Sequence, residues 1–319
     1  MSSTVGQLGA RVGLVHEALF YEDPHGYVGG VSSFLRSGGY AGPALVAVPT
    51  QHLQLLRAEL GFRTPNVRFT DMTELGANPS RIIPAFRDFV DEHREHSARC
   101  VGEPIWAGRS DAEIAEATRH EALINLAFAD TNAHILCPYD TDRLSDEVLA
   151  DAEHTHPRIV SAAGRRASIH YGDPIAFSHS DRWPLRPRPT NAERLDFDDS
   201  IQPRRFVEQH AQAAGLDEER GEDLRLAVHE VCANSLRHGP GHGTIHAWHT
   251  RAHLVIEVND TGIISNPLAG RTRPKPDQTG DRGLYLAHQT CDLVEVRSSL
   301  TGTTVRLHTA RQSPDPRQY

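Results

Sequence analysis

The sequence predicts a two-domain α/β protein, and three observations predict it. Up to about residue 160, strand-like apolar runs alternate with helix-like segments, the pattern of a parallel sheet with helices on both faces. From about residue 194 a different order begins: strand, helices, two strands, loop, helix, two strands. Between them, Pro184, Pro187 and Pro189 interleave with Arg182, Arg186 and Arg188, a stretch that cannot hold a helix. The expected organisation is therefore 1–176, a Pro/Arg-rich linker at 177–192, and 193–319. A chain of 319 residues suits two domains.

Each element has a local reason. The apolar run Val12–Tyr21 reads as the first strand and its exit. Asp23-Pro24 supplies an N-cap and a first-turn proline for a helix reaching Arg36, stopped by Gly38-Gly39. Ala44–Val48 reads as a buried strand, Gln51–Leu60 as a helix closed by Gly61, and Val67–Thr70 as a short strand. A helix is expected from Ser80 to about Glu95, with Pro84 in its first turn. Ser110 and Glu113 form a capping box that opens a helix to Ala127. His134–Cys137 reads as a strand ended by Pro138, and Ser145–Glu153 as a helix. In the second half, Arg194–Phe197 is a strand and Pro203–Ala214 a helix. Asp217 caps a long helix ending at His238 before Gly239-Pro-Gly241. Thr244–His249 with Leu254–Asn259, and Val294–Ser298 with Thr303–His308, alternate apolar and polar as hairpins do, with Gly283–Gln289 helical between them.

Composition removes several classes. A net charge of −9, from 33 basic and 42 acidic residues, argues against direct nucleic-acid binding. No apolar run approaches the roughly 18–20 residues of a membrane span. The start Met1-Ser-Ser-Thr-Val lacks a signal-peptide layout. A cytoplasmic protein without membrane partners is expected. Cys100, Cys137, Cys232 and Cys291 form no CxxC pair and read as buried thiols. Among the 20 histidines, His154-Thr-His156, His242, His246, His249 and His253 lack a companion carboxylate pattern, and no metal site is read from them.

Five C-terminal stretches together spell a nucleotide site. Glu230 and Asn234 lie four residues apart on one helix and share a face. Asn234 offers a neutral oxygen of the kind Mg2+ accepts beside waters and phosphates; Glu230 can serve as general base toward a water or hydroxyl. A lone pair of this spacing is most often merely solvent-facing. Asp260, at the end of a strand, can accept from an adenine amino group, and Gly262 lets the backbone pass close to the base. Gly280-Asp-Arg282-Gly283-Leu284 opens a helix whose N-terminal N–H groups suit phosphate, with Arg282 as a charge-assisted contact. The loop 271–279 occupies the place of a lid. Thr303 or Thr304, after Gly302, can reach the adenine through a water.

With these boxes in order, residues 194–310 resemble the GHKL ATP-binding fold, a Bergerat-type α/β sandwich, and within it the RsbW-type anti-sigma factor/serine kinases. The resemblance implies ATP and Mg2+ as cofactors, Glu230 as catalytic base, Asn234 as Mg2+ ligand and Asp260 as adenine contact. Gly262, Gly280 and Gly283 would shape the pocket and lid. It implies a sigma factor, or a serine on a STAS-type anti-sigma antagonist, as partner. A fuller pattern has a second glycine where this chain has Ile264, which weighs on lid closure and turnover more than on binding. A sequestering protein with ATP as structural ligand, and a sensor histidine kinase, remain alternatives. The latter needs a two-helix phosphoacceptor hairpin, for which the thirty or so residues before the long helix leave no room.

In the first half, Phe20–Tyr27 stands where a nucleotide-binding domain would carry GxxxxGK[ST], and no lysine takes the phosphate position. The run His16–Tyr21 with Ser33–Gly38, Gly102–Trp106 and His120–Phe128 is similar to the MEDS (DcmR-type) sensory domain at about residues 8–160. That resemblance implies a RecA-like doubly wound sheet without a P-loop, and a small organic ligand. His16, read at the carboxyl end of the first strand, with Tyr21, Trp106 and Tyr139, forms the candidate ligand set. The plainer reading is that they pack the sheet edge. The oligomeric state is open, a homodimer included.

Overall fold

The computed structural model describes residues 13–37, 42–60, 66–274 and 282–311. The helix stops at Gly38-Gly39 and Gly61, Gly280 and residues 275–279 of the lid lie outside them. The first half comprises β1 (Val15–Tyr21), α1 (Pro24–Arg36), β2 (Ala44–Val48), α2 (Thr50–Leu60), β3 (Val67–Asp71), α3 (Met72–Leu75), a 3-10 turn (Pro79–Arg81), α4 (Ile82–Glu92), β4 (Arg99–Gly102), α5 (Asp111–Ala127), β5 (His134–Asp140), α6 (Asp146–Thr155), β6 (Arg158–Ser161), β7 (Gly164–Ala167) and α7 (Pro174–Ser178). Its sheet runs β3-β2-β4-β5-β1-β6-β7, parallel except for the antiparallel edge strand β7. Helices cover both faces. Leu19, Tyr21 and Leu136 pack on the α1–α2 side, whereas Ala18, Ile135, Cys137 and Tyr139 pack on the α4–α5 side.

The caps follow the expected chemistry. Asp23 accepts from the Gly26 N–H at 2.7 Å, and Ser110 and Glu113 complete a reciprocal capping box. Two expectations fail for identifiable reasons. The helix expected from Ser80 to about Glu95 spans only Ile82–Glu92, because Asn78 caps a 3-10 turn at Pro79–Arg81 ahead of it, while Asp71 caps the separate α3. Pro138 does not end β5, which continues to Asp140. The His134 N–H bonds Ala98 on the β4 side, and alternation points residue 138 the same way. Pairing with β4 stops at Leu136, so Pro138 removes no ladder bond.

The second half comprises β8 (Glu193–Phe197), α8 (Ile201–Ala213), α9 (Glu218–His238), β9 (Gly243–His249), β10 (His253–Asp260), α10 (Arg282–Thr290), β11 (Leu293–Ser299) and β12 (Gly302–Ala310). The antiparallel sheet is ordered β11-β12-β10-β9-β8. Its apolar face, with Ile245, Ile256, Val258, Val294, Val305 and Leu307, packs on α8, α9 and α10, a two-layer sandwich of the GHKL ATPase type. The opposite face is polar yet buried: Glu257, Glu295, Arg306 and His246 are nearly inaccessible. Arg188, from the Pro/Arg-rich stretch, reaches down to Glu257 at 2.5 Å, and the Arg186 carbonyl accepts from Arg306 at 3.0 Å. No helix among the described residues is long and apolar enough to cross a membrane.

The two halves meet through charge. Glu116, fully buried on α5, accepts from Arg271 at 2.7 Å and from Arg297 on β11 at 2.5 Å, with Arg119 alongside. Asn78 and Arg81 donate to the His288 carbonyl, and Arg81 also to that of Cys291, satisfying orphan acceptors at the end of α10. Leu268 and Trp183 pack against the first core. Burial alone raises the Glu116 carboxyl pKa, but Arg297, Arg271 and Arg119 more than offset it and hold it at about 2.

A carboxyl held below its ordinary 4.5 contributes stability that is fully present above that value and is lost as pH falls toward about 2. The contribution is on the order of 3 kcal/mol. The facing charged groups are Arg119, Arg271 and Arg297; the neighbouring His288 ring is driven down to about 3 by burial, so it gains charge only at the acid end of this window. Thermal unfolding followed between pH 5 and pH 3 should show a steeper loss in the wild type than in Glu116→Gln. Equal slopes would mean that Glu116 does not carry the acid sensitivity of the junction.

Candidate functional site

The slot in the second half is built at one end of the sandwich. Gly239 ends α9, and its N–H returns to the Asn234 carbonyl. Asp260 ends β10 opposite Thr303 on β12. Val231, Val258, Leu284 and Val305 supply apolar walls, with Asn234, Ser235, Asp260 and Thr303 among the polar lining. This combination suits a flat, mostly apolar ring with a polar edge.

Asp260 is fixed from two sides. One carboxylate oxygen accepts from the Gly262 N–H at 2.6 Å, the other from the Ser235 hydroxyl at 2.5 Å. Thr303 donates to the Gly262 carbonyl at 2.9 Å and shares a hydrogen bond with Ser298. Thr304, one residue on, turns to the other sheet face, where it accepts from Asn259 at 2.8 Å. Of the two threonines, only Thr303 therefore stands beside Asp260. Ser235 is a site residue that sequence reasoning missed. Its signal was available, since Ser235 follows Asn234 and lies on the buried side of α9.

Three glycines are explained by close approach. A Cβ on Gly302, whose φ is +132°, would stand 2.3 Å from the Asp260 carbonyl oxygen. A Cβ on Gly262 would meet the Gly239 Cα at 3.0 Å. One on Gly283 would come within 2.7 Å of a Glu230 carboxylate oxygen. Gly283 thus seats α10 against α9 directly beside Glu230. Glu230 and Asn234 are both half-buried, one turn apart, on the α9 face toward α10 and the slot. Arg282 is exposed at the first residue of α10, and Leu284 is buried. Ile264 packs against the second core and donates its N–H to Ser298 at 2.8 Å, which anchors the strand of chain that follows Gly262.

The lid begins on the other half of the molecule. Arg271 is bound to Glu116, and Arg273 pairs with Asp88 at 2.6 Å. A cleft between the halves, lined by Arg119, Trp183, Asn266, Arg271, Arg297 and Thr304, opens directly on Asp260 and Thr303.

The four N-terminal candidates do not form one site. His16 lies near the amino end of β1, not its carboxyl end, because the strand starts only at Val15. Tyr21 ends the strand and faces the opposite side of the sheet. Its hydroxyl approaches Glu103 at 3.3 Å, and Tyr27 and His52 join the same carboxylate. Burial raises Glu103, with His52 opposing, and Glu103 raises His52 against its own burial. Trp106 stacks under Arg109 at 4.1 Å. Tyr139 sits edge-on to His156 at 5.6 Å, in the neighbourhood of His16. There the buried His16, Glu121, Cys137 and His156 converge in the core. Burial, and then His156, push the His16 ring down to about 4, opposed by Glu121 and Asn125.

Comparison with known proteins agrees with this division. Residues 15–157 match the family described as MEDS, the methanogen/methylotroph DcmR sensory domain, and residues 198–309 match the histidine kinase-like ATPase domain. Among solved structures, the crystal structure of the RsbU and RsbW domains of Rv1364c from Mycobacterium tuberculosis is similar at 20% identity. The match covers 39% of this chain and 33% of that one, with a TM-score of 0.28. This chain thus spans about a third of the solved chain it matches. No curated protein matches. The molecule joins an N-terminal MEDS domain to a C-terminal histidine kinase-like ATPase domain.

Gly302→Ala tests the glycine argument. It should lower the unfolding temperature and weaken ATP binding at least tenfold, since both backbone strain and a backbone clash bear on Asp260. Gly164→Ala, with positive φ but open space around it, should carry the strain alone and leave nucleotide binding unchanged. Equal effects from the two, read by calorimetric unfolding and nucleotide titration, would remove the clash from the account.

Proposed function

We propose that the chain is a cytoplasmic, ATP-binding regulator of anti-sigma type, which binds a sigma factor, phosphorylates a serine on a STAS-type antagonist, or does both. The observation that carries this reading is the fixed Asp260 at the base of an apolar slot, with Asn234 and Glu230 in succession along the α9 face beside it. The slot fits an adenine: Asp260 can accept from the exocyclic amino group while Val258, Leu284 and Val305 cover the ring. Asn234 would hold Mg2+ through its side-chain oxygen. Bound Mg-ATP supplies a phosphoryl group and screens its charge. Glu230 would take the proton of an incoming serine hydroxyl, and Gly283 keeps that carboxylate free of a neighbouring side chain. Arg282 is free to reach toward the outer phosphates. Before α9 stand one strand and one helix, β8 and α8, in place of the two-helix hairpin a histidine kinase requires.

Regulation would run through α5. Its Glu116 holds Arg271 at the start of the lid, while Glu121 and Asn125 on the same helix face the sensory core. A ligand that shifts α5 would thereby alter lid freedom.

Labelled ATP with a STAS-domain protein and a sigma factor tests the reading. Asp260→Ala should abolish detectable nucleotide binding. Glu230→Ala should keep binding within about threefold and lose phosphoserine formation by about a hundredfold or more. Bound ATP without any phosphoserine product from the wild type would favour a sequestering role. Normal transfer by Glu230→Ala would remove it as the base.

A further inference from the structure

Four ionisable side chains from four separate elements meet in the interior of the first half. His16 comes from β1, Glu121 from α5, Cys137 from β5 and His156 from the residue that closes α6, and all four are buried. His16 Nε2 lies 3.3 Å and His156 Nε2 3.1 Å from the same Glu121 oxygen, and Cys137 Sγ lies 3.5 Å from His16 Nε2. All four donor atoms fall within 4.8 Å of one another.

The tautomers are set by the surroundings. The Asn125 amide nitrogen donates to the Thr155 carbonyl at 2.8 Å and to that of Ala122 at 3.2 Å, so its oxygen is the atom facing His16 Nδ1 at 3.1 Å. His16 Nδ1 must therefore carry the proton. His156 Nδ1 likewise donates to the Ala152 carbonyl at 2.8 Å. Each neutral ring then directs its Nε2 lone pair at a carboxylate that has only lone pairs to offer. Among the described residues, both Glu121 oxygens and His156 Nε2 lack a hydrogen-bond partner despite this proximity. Such a convergence of acceptors in a buried core is costly unless a shared proton or a cation at its centre compensates it.

We propose that His16, Glu121, Cys137 and His156 form a closed, four-coordinate site for a divalent transition metal of the zinc class, distinct from the Mg2+ expected at the nucleotide slot. An ion bound by imidazole, carboxylate and thiolate at zinc-like distances has ligand–ligand edges of about 3.3–3.6 Å; three of the donor pairs here stand at 3.1, 3.3 and 3.5 Å, and the others lie within 4.8 Å. Two neutral imidazoles, one carboxylate and one thiolate sum to two negative charges, so a divalent ion leaves the site neutral. The Asn125 and Ala152 oxygens behind the two rings supply the outer hydrogen bonds that fix ring orientation in metal–histidine sites. With all four positions taken by protein, the ion's role is structural or sensory, and Glu121 places it on the helix that also carries Glu116.

The test uses the untagged full chain without nucleotide. After exposure to Zn2+ and gel filtration, elemental analysis should find one zinc per chain. The metal-stripped protein titrated with Co2+ should develop the intense visible bands of a tetrahedral site and a thiolate-to-cobalt charge-transfer band. Cys137→Ser should lose the charge-transfer band, whereas Cys100→Ser, a buried cysteine of the same core, should retain it. Glu121→Gln, close to isosteric, should weaken Co2+ binding at least tenfold, with circular dichroism confirming that both variants fold. A wild-type protein that retains no zinc and gives no charge-transfer band overturns the proposal, whatever the variants do. So does a band that survives in Cys137→Ser. ATP binding is read separately, so failure here leaves the nucleotide site untouched.

Discussion

A single buried carboxylate, Glu116, holds the two halves in register. Removing it from water costs several kcal/mol, and only close guanidinium partners offset such a cost. Arg271 and Arg297 provide them from different parts of the second half, the start of the lid and β11. Three guanidiniums around one carboxylate leave excess positive charge, and that excess is spread over carbonyls: Arg119 donates to Ser178 and Ser180, and Arg297 to Trp183. The chain between the two sheets is consequently fastened rather than slack. Trp183 and Arg182 add bonds to Asp151, and Arg188 reaches Glu257.

The same helix serves a second set of groups. Glu116 and Glu121 are five residues apart, which at about 100° per residue sends them to sides of α5 separated by about 140°. One faces the ATPase half and the other the core of the sensory half. Because α5 is enclosed along nearly its whole length, a change in packing at one carboxylate has little room to dissipate before it reaches the other. The two halves thus share one rigid element with charge at both of its contacts. The Ile264 departure from the fuller glycine pattern fits the same picture. Its N–H and side chain tie the chain beyond Gly262 to β11 and the second core.

Much of this was legible in the sequence, because it depends on local chemistry. Asp23, Ser110 and Asp217 each announced a helix start that the fold uses, and the alternation in 244–259 and 294–308 marked the antiparallel strands. Glu230, Asn234, Asp260 and Gly302 could be named from spacing, since a helix turn and a strand end bring them together. What was hidden depends on topology. Pro138 reads as a strand stop unless one knows that β4 is shorter than its neighbour. His16 was assigned to the wrong end of β1 because the strand's start is set by pairing with β5. His156 shows no companion carboxylate in the sequence, yet it stands at the close of α6 with its ring in the core beside Glu121. Positions 16, 121, 137 and 156 share no periodicity, and only the parallel sheet order aligns them.

The two buried glutamates of α5 show how differently a protein can hold the same group. Glu116 is surrounded by guanidiniums, whose charge is permanent, and it needs nothing further. Glu121 is faced by two imidazoles whose Nδ1 protons are already committed elsewhere, and by a thiol. None of these groups is a fixed cation. An ionised carboxylate in that position requires positive charge from a proton shared within the cluster or from a metal ion at its centre. A single proton can bridge only one of the two Nε2–carboxylate contacts, and it leaves the other lone pair and the sulfur uncompensated. A divalent ion meets all four donors at once, and the convergence of four distant elements on one point is the geometry that such an ion demands.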